Sequence, residues 1–134
     1  MKVILGINAY HADASACIIV DGELIAAIEE ERMNRLKHYS GYPISAIKEC
    51  LNISKKNSTE ITDIAFNTKP LSNMLSKANF YMRNIFNEQK SSTKRIIKKI
   101  NIKNDILKEF KLNKNVKFHY IEHHLAHIAS AFYP

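Results

Sequence analysis

Three histidines lie within five residues near the end of the chain, at His123, His124 and His127. They follow the apolar run 116–121, which predicts a short strand, and they begin an alanine-rich segment that predicts a helix. On a helix, His123 and His127 stand at i and i+4, so both rings project from one face, one turn apart. Two neutral imidazoles at this spacing can share one transition-metal ion. We therefore expect His123 and His127 to be metal ligands, with the other ligands in polypeptide beyond Pro134.

His124 is rotated by about 100° from His123 on such a helix, so its ring should face elsewhere. We treat His124 as a candidate substrate-binding residue or a support for the ligands. The alternative is that the helix binds no metal. Its imidazoles would then be exposed, or buried with satisfied hydrogen bonds.

A polar loop between two apolar runs holds the second group of candidates. Asn8, Tyr10 and Asp13 are candidate substrate-binding residues, because polar side chains and backbone amides at a strand-to-strand turn can hold a phosphate or a hydroxyl. Histidine changes charge near neutral pH, so His11 is a candidate general base toward a hydroxyl. The alternative for His11 is an exposed side chain that caps a backbone group. The loop lacks the glycines of a Walker-type nucleotide site.

A charged segment follows the predicted third strand. Lys37 lies in a loop where a lysine can contact a phosphate, and we treat it as a candidate catalytic residue, although a solvated lysine is the alternative. The three glutamates at 29–31 cannot all face one ligand. We interpret them as surface residues paired with Arg32 and Arg35.

Short apolar runs alternate along the chain with helical patterns. Asp21-Gly22 predicts a tight hairpin turn between the second and third strands, and Pro43 suits the first turn of a helix that runs to about Leu51. The predicted strands are 2–7, 14–20, 23–28, 61–67 and 116–121, with further helices at 71–86 and 96–110. A crossover helix makes the first and fourth strands parallel. This order predicts an α/β fold, a ribonuclease H-like, actin-type (ASKHA) half-domain whose five-stranded mixed sheet opens with a β-hairpin.

The composition indicates one globular domain. Of the 134 residues, 46% are hydrophobic and 25% are charged, which suffices for a core and argues against disorder. We treat 1–134 as the N-terminal half of a larger domain, because the aromatic residues before Pro134 normally pack against something, and about 70–114 as a helical insertion. No segment predicts a membrane span or a signal peptide. Cys17 and Cys50 lack metal or redox spacing, so we expect buried thiols and a cytoplasmic protein.

The positive charge is concentrated in one segment. Residues 69–117 contain 13 basic and 3 acidic side chains and so carry a net charge of +10. The other residues together carry −3, which gives the chain its net charge of +7. Such a block can contact nucleic acid or anionic membranes. Here the lysines alternate with apolar residues at helical spacing, without interleaved arginines and aromatic residues. We therefore favour a solvated helical face over a nucleic-acid or membrane surface.

Three separated motifs resemble the carbamoyltransferase family that includes the nodulation and antibiotic-tailoring O-carbamoyltransferases. The motifs occur in the family's order and lie at both ends of the chain, whereas residues 52–115 carry no recognisable signature. They are residues 4–16, residues 29–32 with Lys37, His38, Tyr42 and Pro43, and residues 123–127 with 129–133.

The resemblance implies an enzyme of two parts. An N-terminal actin-like domain, related to the tRNA threonylcarbamoyl-transferase, holds iron or a similar divalent metal and moves a carbamoyl group to a hydroxyl. A C-terminal domain makes carbamoyl-adenylate from carbamoyl phosphate and ATP. By this resemblance His123 and His127 bind the metal, expected to be Fe(II), His11 activates the hydroxyl of a small-molecule acceptor, and Lys37 lies near the transferred group or its phosphate. The chain matches only the first half of the N-terminal domain, so we expect it to be inactive without the remaining C-terminal half of the enzyme.

Two other functions stay open at this point. One is a tRNA threonylcarbamoyl-transferase relative, against which the opening residues 8–11 argue. The other is a non-catalytic actin-like module that binds a partner.

Overall fold

The computed structural model describes residues 1–68 and 101–132 of the chain. These residues form the strands β1 Val3–Asn8, β2 Ser15–Val20, β3 Glu23–Glu29, β4 Asp63–Phe66 and β5 Lys117–Tyr120. Their helices are α1 Glu30–Asn34, α2 Ile44–Ser54, α3 over 101–109 and α4 His123–Phe132, with a 3₁₀ turn at Ser58–Glu60. The predicted helix 71–86 and most of the predicted insertion lie outside the described residues.

The strands form one mixed sheet in the order β3-β2-β1-β4-β5. The β1–β2 and β2–β3 pairs are antiparallel, whereas β4 is parallel to both β1 and β5. The prediction of an α/β fold with a five-stranded mixed sheet that opens with a β-hairpin is confirmed. Because β1, β4 and β5 run in the same direction, their carboxyl ends lie at one edge of the sheet.

The opening hairpin turns at Asp21 and Gly22, as predicted. Both residues have positive φ, 51° at Asp21 and 93° at Gly22. A two-residue turn of this kind matches the right-handed twist of its strands, and glycine adopts the second of these conformations without a steric penalty. In the β2–β3 pair, Ile18 pairs with Ala26 and Ile19 with Leu24, so the register shifts by one residue between them.

The core lies against one face of the sheet. Alternate residues of β1, namely Val3, Leu5 and Ile7, are buried there because successive side chains of a strand point to opposite faces. Residues of α2 and α3 belong to the same buried cluster, and Ile102 and Ile106 of α3 are fully buried. The described part of the predicted insertion therefore packs into the core, while the domain boundaries themselves stay a prediction.

Glu30 corrects one expectation from the sequence. It is only 3% exposed, and its carboxylate accepts hydrogen bonds from the backbone N–H groups of Ser45 (3.3 Å) and Ala46 (2.7 Å). The interpretation of Glu30 as a paired surface residue is therefore wrong. Helix α2 has Pro43 at its N-cap position and no side-chain cap from that residue, so Glu30 satisfies amide groups that the helix itself leaves without partners.

Both cysteines are free, with Cys50 buried and Cys17 partly buried. Burial raises the pKa of the Cys50 thiol to about 11 and also raises that of Cys17. Among the described residues, no helix has the length and apolar composition needed to cross a membrane.

Candidate functional site

A cavity of about 410 Å³ lies where the parallel strands end. Its walls come from the loop between β1 and β2, the residue after β4 and the first turns of α4. The lining residues are Asn8, His11, Ala12, Asp13, Ser15, Asn67, His123, Ala126 and His127. The topology thus brings the first loop and the histidine helix, more than a hundred positions apart in the chain, to one cavity.

The rings of His123 and His127 meet at the cavity wall. Their Nε2 atoms are 3.0 Å apart, and the ring planes are inclined by 85°. Both residues project from one face of α4, as the i and i+4 spacing predicts.

The histidine pair fits part of a metal site. Two nitrogens that each lie about 2.0–2.1 Å from one ion, at nearly a right angle, are separated by roughly 3 Å, which is the distance that the two Nε2 atoms show. The same separation also suits a hydrogen bond from one ring to the other. In residues 1–68 and 101–132, no group of three or more histidine, cysteine, aspartate or glutamate side chains is arranged to hold a metal ion. The pair can therefore supply no more than two ligands from the described residues, and the metal assignment stays a prediction.

The environment of His123 favours its neutral form. Burial lowers the pKa of His123, and the neighbouring His11 and His127 lower it further. A neutral imidazole has the lone pair that a metal ligand needs. The Glu122 carboxylate accepts a hydrogen bond from the backbone N–H of Leu125 at 3.0 Å, which lowers the pKa of Glu122 and stabilises the start of α4.

His11 lies beside the pair. Its ring centroid is 4.8 Å from that of His123, and its side chain is exposed in the loop between β1 and β2. The structure therefore joins the predicted general base and the predicted metal ligands in one cavity. In this position, His11 can accept a proton from a group bound there.

Two asparagines brace the loop that carries His11. The Nδ2 atom of Asn8 donates to the carbonyl oxygens of Ala12 (3.2 Å) and Asp13 (2.9 Å). The Oδ1 atom of Asn8 accepts a hydrogen bond from Asn67 Nδ2 at 2.9 Å. Both donor positions of the Asn8 amide are thus occupied within the protein. Asn8 lines the cavity, as a substrate-binding residue must, but its amide mainly holds the loop.

Asp13 lines the cavity and is held by the second motif. Its Oδ1 atom is 3.0 Å from Nδ1 of His38. This contact, the charge of Asp13 and that of Glu31 raise the pKa of the exposed His38 ring.

Three predicted site residues do not line this cavity. The Tyr10 hydroxyl donates a hydrogen bond to Asp105 Oδ2 at 2.7 Å, and burial together with this carboxylate raises the pKa of Tyr10. Lys37 and His124 are exposed and are not among the lining residues. The His124 ring contacts that of His123 edge-on, with the centroids 5.9 Å apart. Roles for Tyr10, Lys37 and His124 stay predictions.

Sequence reasoning missed Asn67 and the role of His38. Asn67 directly follows β4, and polar residues after the carboxyl ends of parallel strands often line ligand sites, so a signal for it existed. The contact between His38 and Asp13 joins residues 25 positions apart and has no local signal. A second, adjoining cavity of about 650 Å³ shares Asn8, Ser15 and Asn67 with the first and extends toward Arg32.

Comparison with known proteins gives a family match over nearly the whole chain. The family model described as carbamoyltransferase N-terminus matches residues 3–134. The uncharacterized protein sll1178 of Synechocystis sp. is 31% identical over 147 aligned positions, which cover all of this chain and 23% of that protein. Nodulation protein NolNO of Sinorhizobium fredii is 28% identical over 126 positions, which cover 93% of this chain and 18% of that protein. The chain therefore spans about a fifth of the length of these curated relatives.

Among solved structures, YeaZ from Pseudomonas aeruginosa aligns with 91% of this chain and 43% of its own chain. The TM-score is 0.48 and the sequence identity is 9%.

Proposed function

Because this chain belongs to the family of carbamoyltransferase N-terminal domains, we propose that an enzyme containing it carbamoylates a hydroxyl group of a small molecule. The carbamoyl group comes from carbamoyl phosphate, by way of carbamoyl-adenylate formed with ATP. The chain contributes part of the site for the transfer step. The remaining metal ligands and the adenylate-forming machinery belong to the C-terminal half of that enzyme.

The observation that carries this proposal is the convergence of His11, His123 and His127 at one cavity. A proton acceptor and a pair of imidazole ligands are the two components that hydroxyl transfer with metal assistance needs. They come from two motifs at opposite ends of the chain, and the sheet topology alone brings them together.

His11 is the proposed general base. As the acceptor oxygen forms a bond to the carbamoyl carbon, the bond from that carbon to the adenylate phosphate oxygen breaks, and AMP leaves with the bonding electrons. The proton of the acceptor hydroxyl passes to the His11 ring, which the braced loop holds beside the cavity. Asp13 and Ser15 line the same cavity and present oxygen atoms to the hydroxyl groups of the acceptor.

His123 and His127 are the proposed ligands of a divalent metal, Fe(II) by the family resemblance. When bound, the metal supplies Lewis-acid polarisation of the carbamoyl donor. The lowered pKa of His123 favours the neutral ring, which is the state that binds a metal.

One observation favours a second candidate, a non-catalytic actin-like interaction module. Leu125 and Ile128 of α4 are each 57% exposed, and Phe132 is 74% exposed. Their spacing places them along one side of the helix, and an exposed apolar stripe suits a protein contact. This candidate requires neither metal nor carbamoyl transfer, so one set of measurements separates the two functions.

The test uses the whole enzyme with single substitutions. We expect His11→Asn to lower carbamoyl transfer roughly 10²–10⁴-fold, while carbamoyl-adenylate still forms from ATP and carbamoyl phosphate. The two steps are followed separately by mass spectrometry and pyrophosphate release. Loss of adenylate formation with normal transfer from supplied carbamoyl-adenylate would contradict the assigned role of His11.

The metal is tested independently of activity. Elemental analysis after dialysis should show that His127→Ala has lost the metal that the wild-type enzyme retains. His38→Ala is the control, because it removes an imidazole that lies outside the cavity lining and outside α4. Retention of the metal by His127→Ala would mean that the histidine pair is structural. The 134-residue chain alone should yield no carbamoylated product.

A further inference from the structure

The Asp13 carboxylate at the cavity wall forms a hydrogen bond with His38, a residue of the second of the three sequence motifs. Its Oδ1 atom lies 3.0 Å from His38 Nδ1, and the backbone N–H of His38 in turn donates to Glu31 Oε2 at 3.1 Å. His38 is thus fixed at its backbone by one carboxylate and at its ring by another. Among the described residues, no hydrogen bond engages the Oδ2 atom of Asp13, so that oxygen can accept one from a ligand.

Backbone hydrogen bonds join the two loops on both sides of this contact. The N–H of Tyr10 donates to the carbonyl oxygen of Gly41 at 3.1 Å, and the N–H of Ala14 donates to that of Tyr39 at 2.9 Å. These bonds hold the two loops together, so His38 stays next to Asp13.

Both partners have a backbone conformation that normally favours glycine. The φ angle is 58° at Asp13 and 54° at His38, in the left-handed region that side chains disfavour sterically. Non-glycine residues in this region persist where the surrounding structure holds them, and they cluster at functional sites. Glycine at either position would relax the backbone but would remove the contact between the side chains.

We infer that His38 is a positioning residue, which orients the Asp13 carboxylate so that its free oxygen accepts a hydrogen bond from the hydroxylated acceptor. This inference rests on the proposed function and adds a determinant of acceptor binding to it. The ligand class is a small molecule with at least two hydroxyl groups, one for the transfer and one for Asp13. The charge of the pair supports this role, because the contact with Asp13, the charge of Asp13 and that of Glu31 raise the pKa of His38.

Two substitutions at one position separate positioning from folding. In His38→Asn, the side-chain Nδ2 lies at the place of the imidazole Nδ1, and asparagine tolerates the left-handed region. In His38→Gly, the backbone is relaxed but the donor to Asp13 is lost. Ser40→Gly is the control, since it introduces a glycine at an exposed position of the same loop.

The experiment measures kcat and KM in the whole enzyme with glycerol, ribose and methyl glucoside as hydroxylated probes. For each probe that the wild-type enzyme carbamoylates, we expect His38→Gly to raise KM roughly 2- to 5-fold, because the contact with Asp13 that it removes lies between exposed side chains. We expect kcat and the melting temperature to change little, because a contact made equally in the bound ground state and the transition state alters KM alone. His38→Asn should restore most of the wild-type KM, and Ser40→Gly should leave it unchanged.

Two further outcomes distinguish this inference from the proposed function. A wild-type KM in His38→Gly, in an enzyme that carbamoylates a probe, overturns the inference and leaves the proposed function intact. A wild-type enzyme that carbamoylates none of the probes counts against the proposed function, and the acceptor role of Asp13 falls with it. NMR titration of the His38 ring then tests the pair itself, since Asp13→Asn should lower its pKa.

Discussion

Glu30 connects the first loop to the start of α2. Its backbone N–H donates to the carbonyl oxygen of Ala14 in the first loop at 2.8 Å, while its side chain caps the start of α2. Because the carboxylate is buried, its hydrogen bonds to Ser45 and Ala46 cannot be replaced freely by water. Removal of the carboxylate therefore leaves helix amides without partners in a buried environment.

We expect Glu30→Ala to destabilise the protein by about 1–3 kcal/mol, and Glu30→Gln by less, because an amide oxygen can still accept one of the two bonds. Urea unfolding at neutral pH measures both changes. Glu29→Ala, at the exposed neighbouring position, should change stability by no more than about 0.5 kcal/mol. Equal effects at the two positions would show that the cap contributes nothing.

At the scale of elements, the contact between β1 and β2 depends on a glycine. Gly6 pairs with Cys17 in the antiparallel register, and a Cβ atom at position 6 would lie 2.6 Å from Cys17 Sγ. That distance is far inside van der Waals contact, so the cysteine side chain occupies space that only a glycine leaves open. The two residues thus form one packing unit on the sheet face opposite the core.

Gly6→Ala should therefore destabilise the protein by about 1–3 kcal/mol, the usual effect of overpacking. The double variant Gly6→Ala with Cys17→Ala should recover most of the loss, because the atom in conflict is gone. A double-mutant cycle from thermal or urea unfolding gives the coupling. If the two changes are additive, the contact with Sγ is not the cause.

The sequence predicted the contacts between residues that are close together in the chain, but not those between distant residues. The strands of this sheet and the Asp21-Gly22 turn were predicted, whereas the burial of Glu30 was not. Glu30 belongs to a run of three glutamates that looks solvated when only its neighbours are considered. Its burial follows from the direction in which α2 approaches the end of β3, which no local pattern encodes.

At the scale of the whole molecule, a contact between two side chains joins β4 to the edge strand β5. Asp63 Oδ1 lies 2.7 Å from His119 Nε2, and Thr62 Oγ1 donates to Asp63 Oδ2 at 2.8 Å. These two hydrogen bonds hold the pKa of the Asp63 carboxyl below its usual range, and the hydrogen bond with His119 has the larger effect. Since β5 leads directly to α4, the pair also supports the element that carries the histidines.

The lowered pKa of Asp63 makes stability depend on pH. A carboxyl whose pKa is lower in the folded state makes its full contribution to stability when the pH is above the pKa that it has in the unfolded state, about 4. That contribution is lost as the pH falls through the pKa that the carboxyl has in the folded state. We expect the urea midpoint to fall on acidification in the wild-type protein and to fall less in Asp63→Asn. Glu23→Gln, which removes an exposed carboxylate, should keep the wild-type dependence, and an identical curve for Asp63→Asn would contradict the prediction.

The sequence by itself determined the features that depend on near neighbours. The alternation of β1, the positive φ at Gly22 and the shared face of His123 and His127 each follow from the conformation of a few consecutive residues. The resemblance of three motifs identified the family, which the match over residues 3–134 confirms. These signals are local, so they can be read without knowing how the chain folds back on itself.

Only the tertiary structure decided which of the candidate residues meet. His11 reaches His123, and His38 reaches Asp13, because the parallel strands end at one edge and backbone hydrogen bonds join the two loops. Lys37, adjacent to His38, does not line the cavity. Spacing along the chain cannot distinguish these neighbours, since strand order and loop packing set their positions through contacts between residues that are distant in sequence.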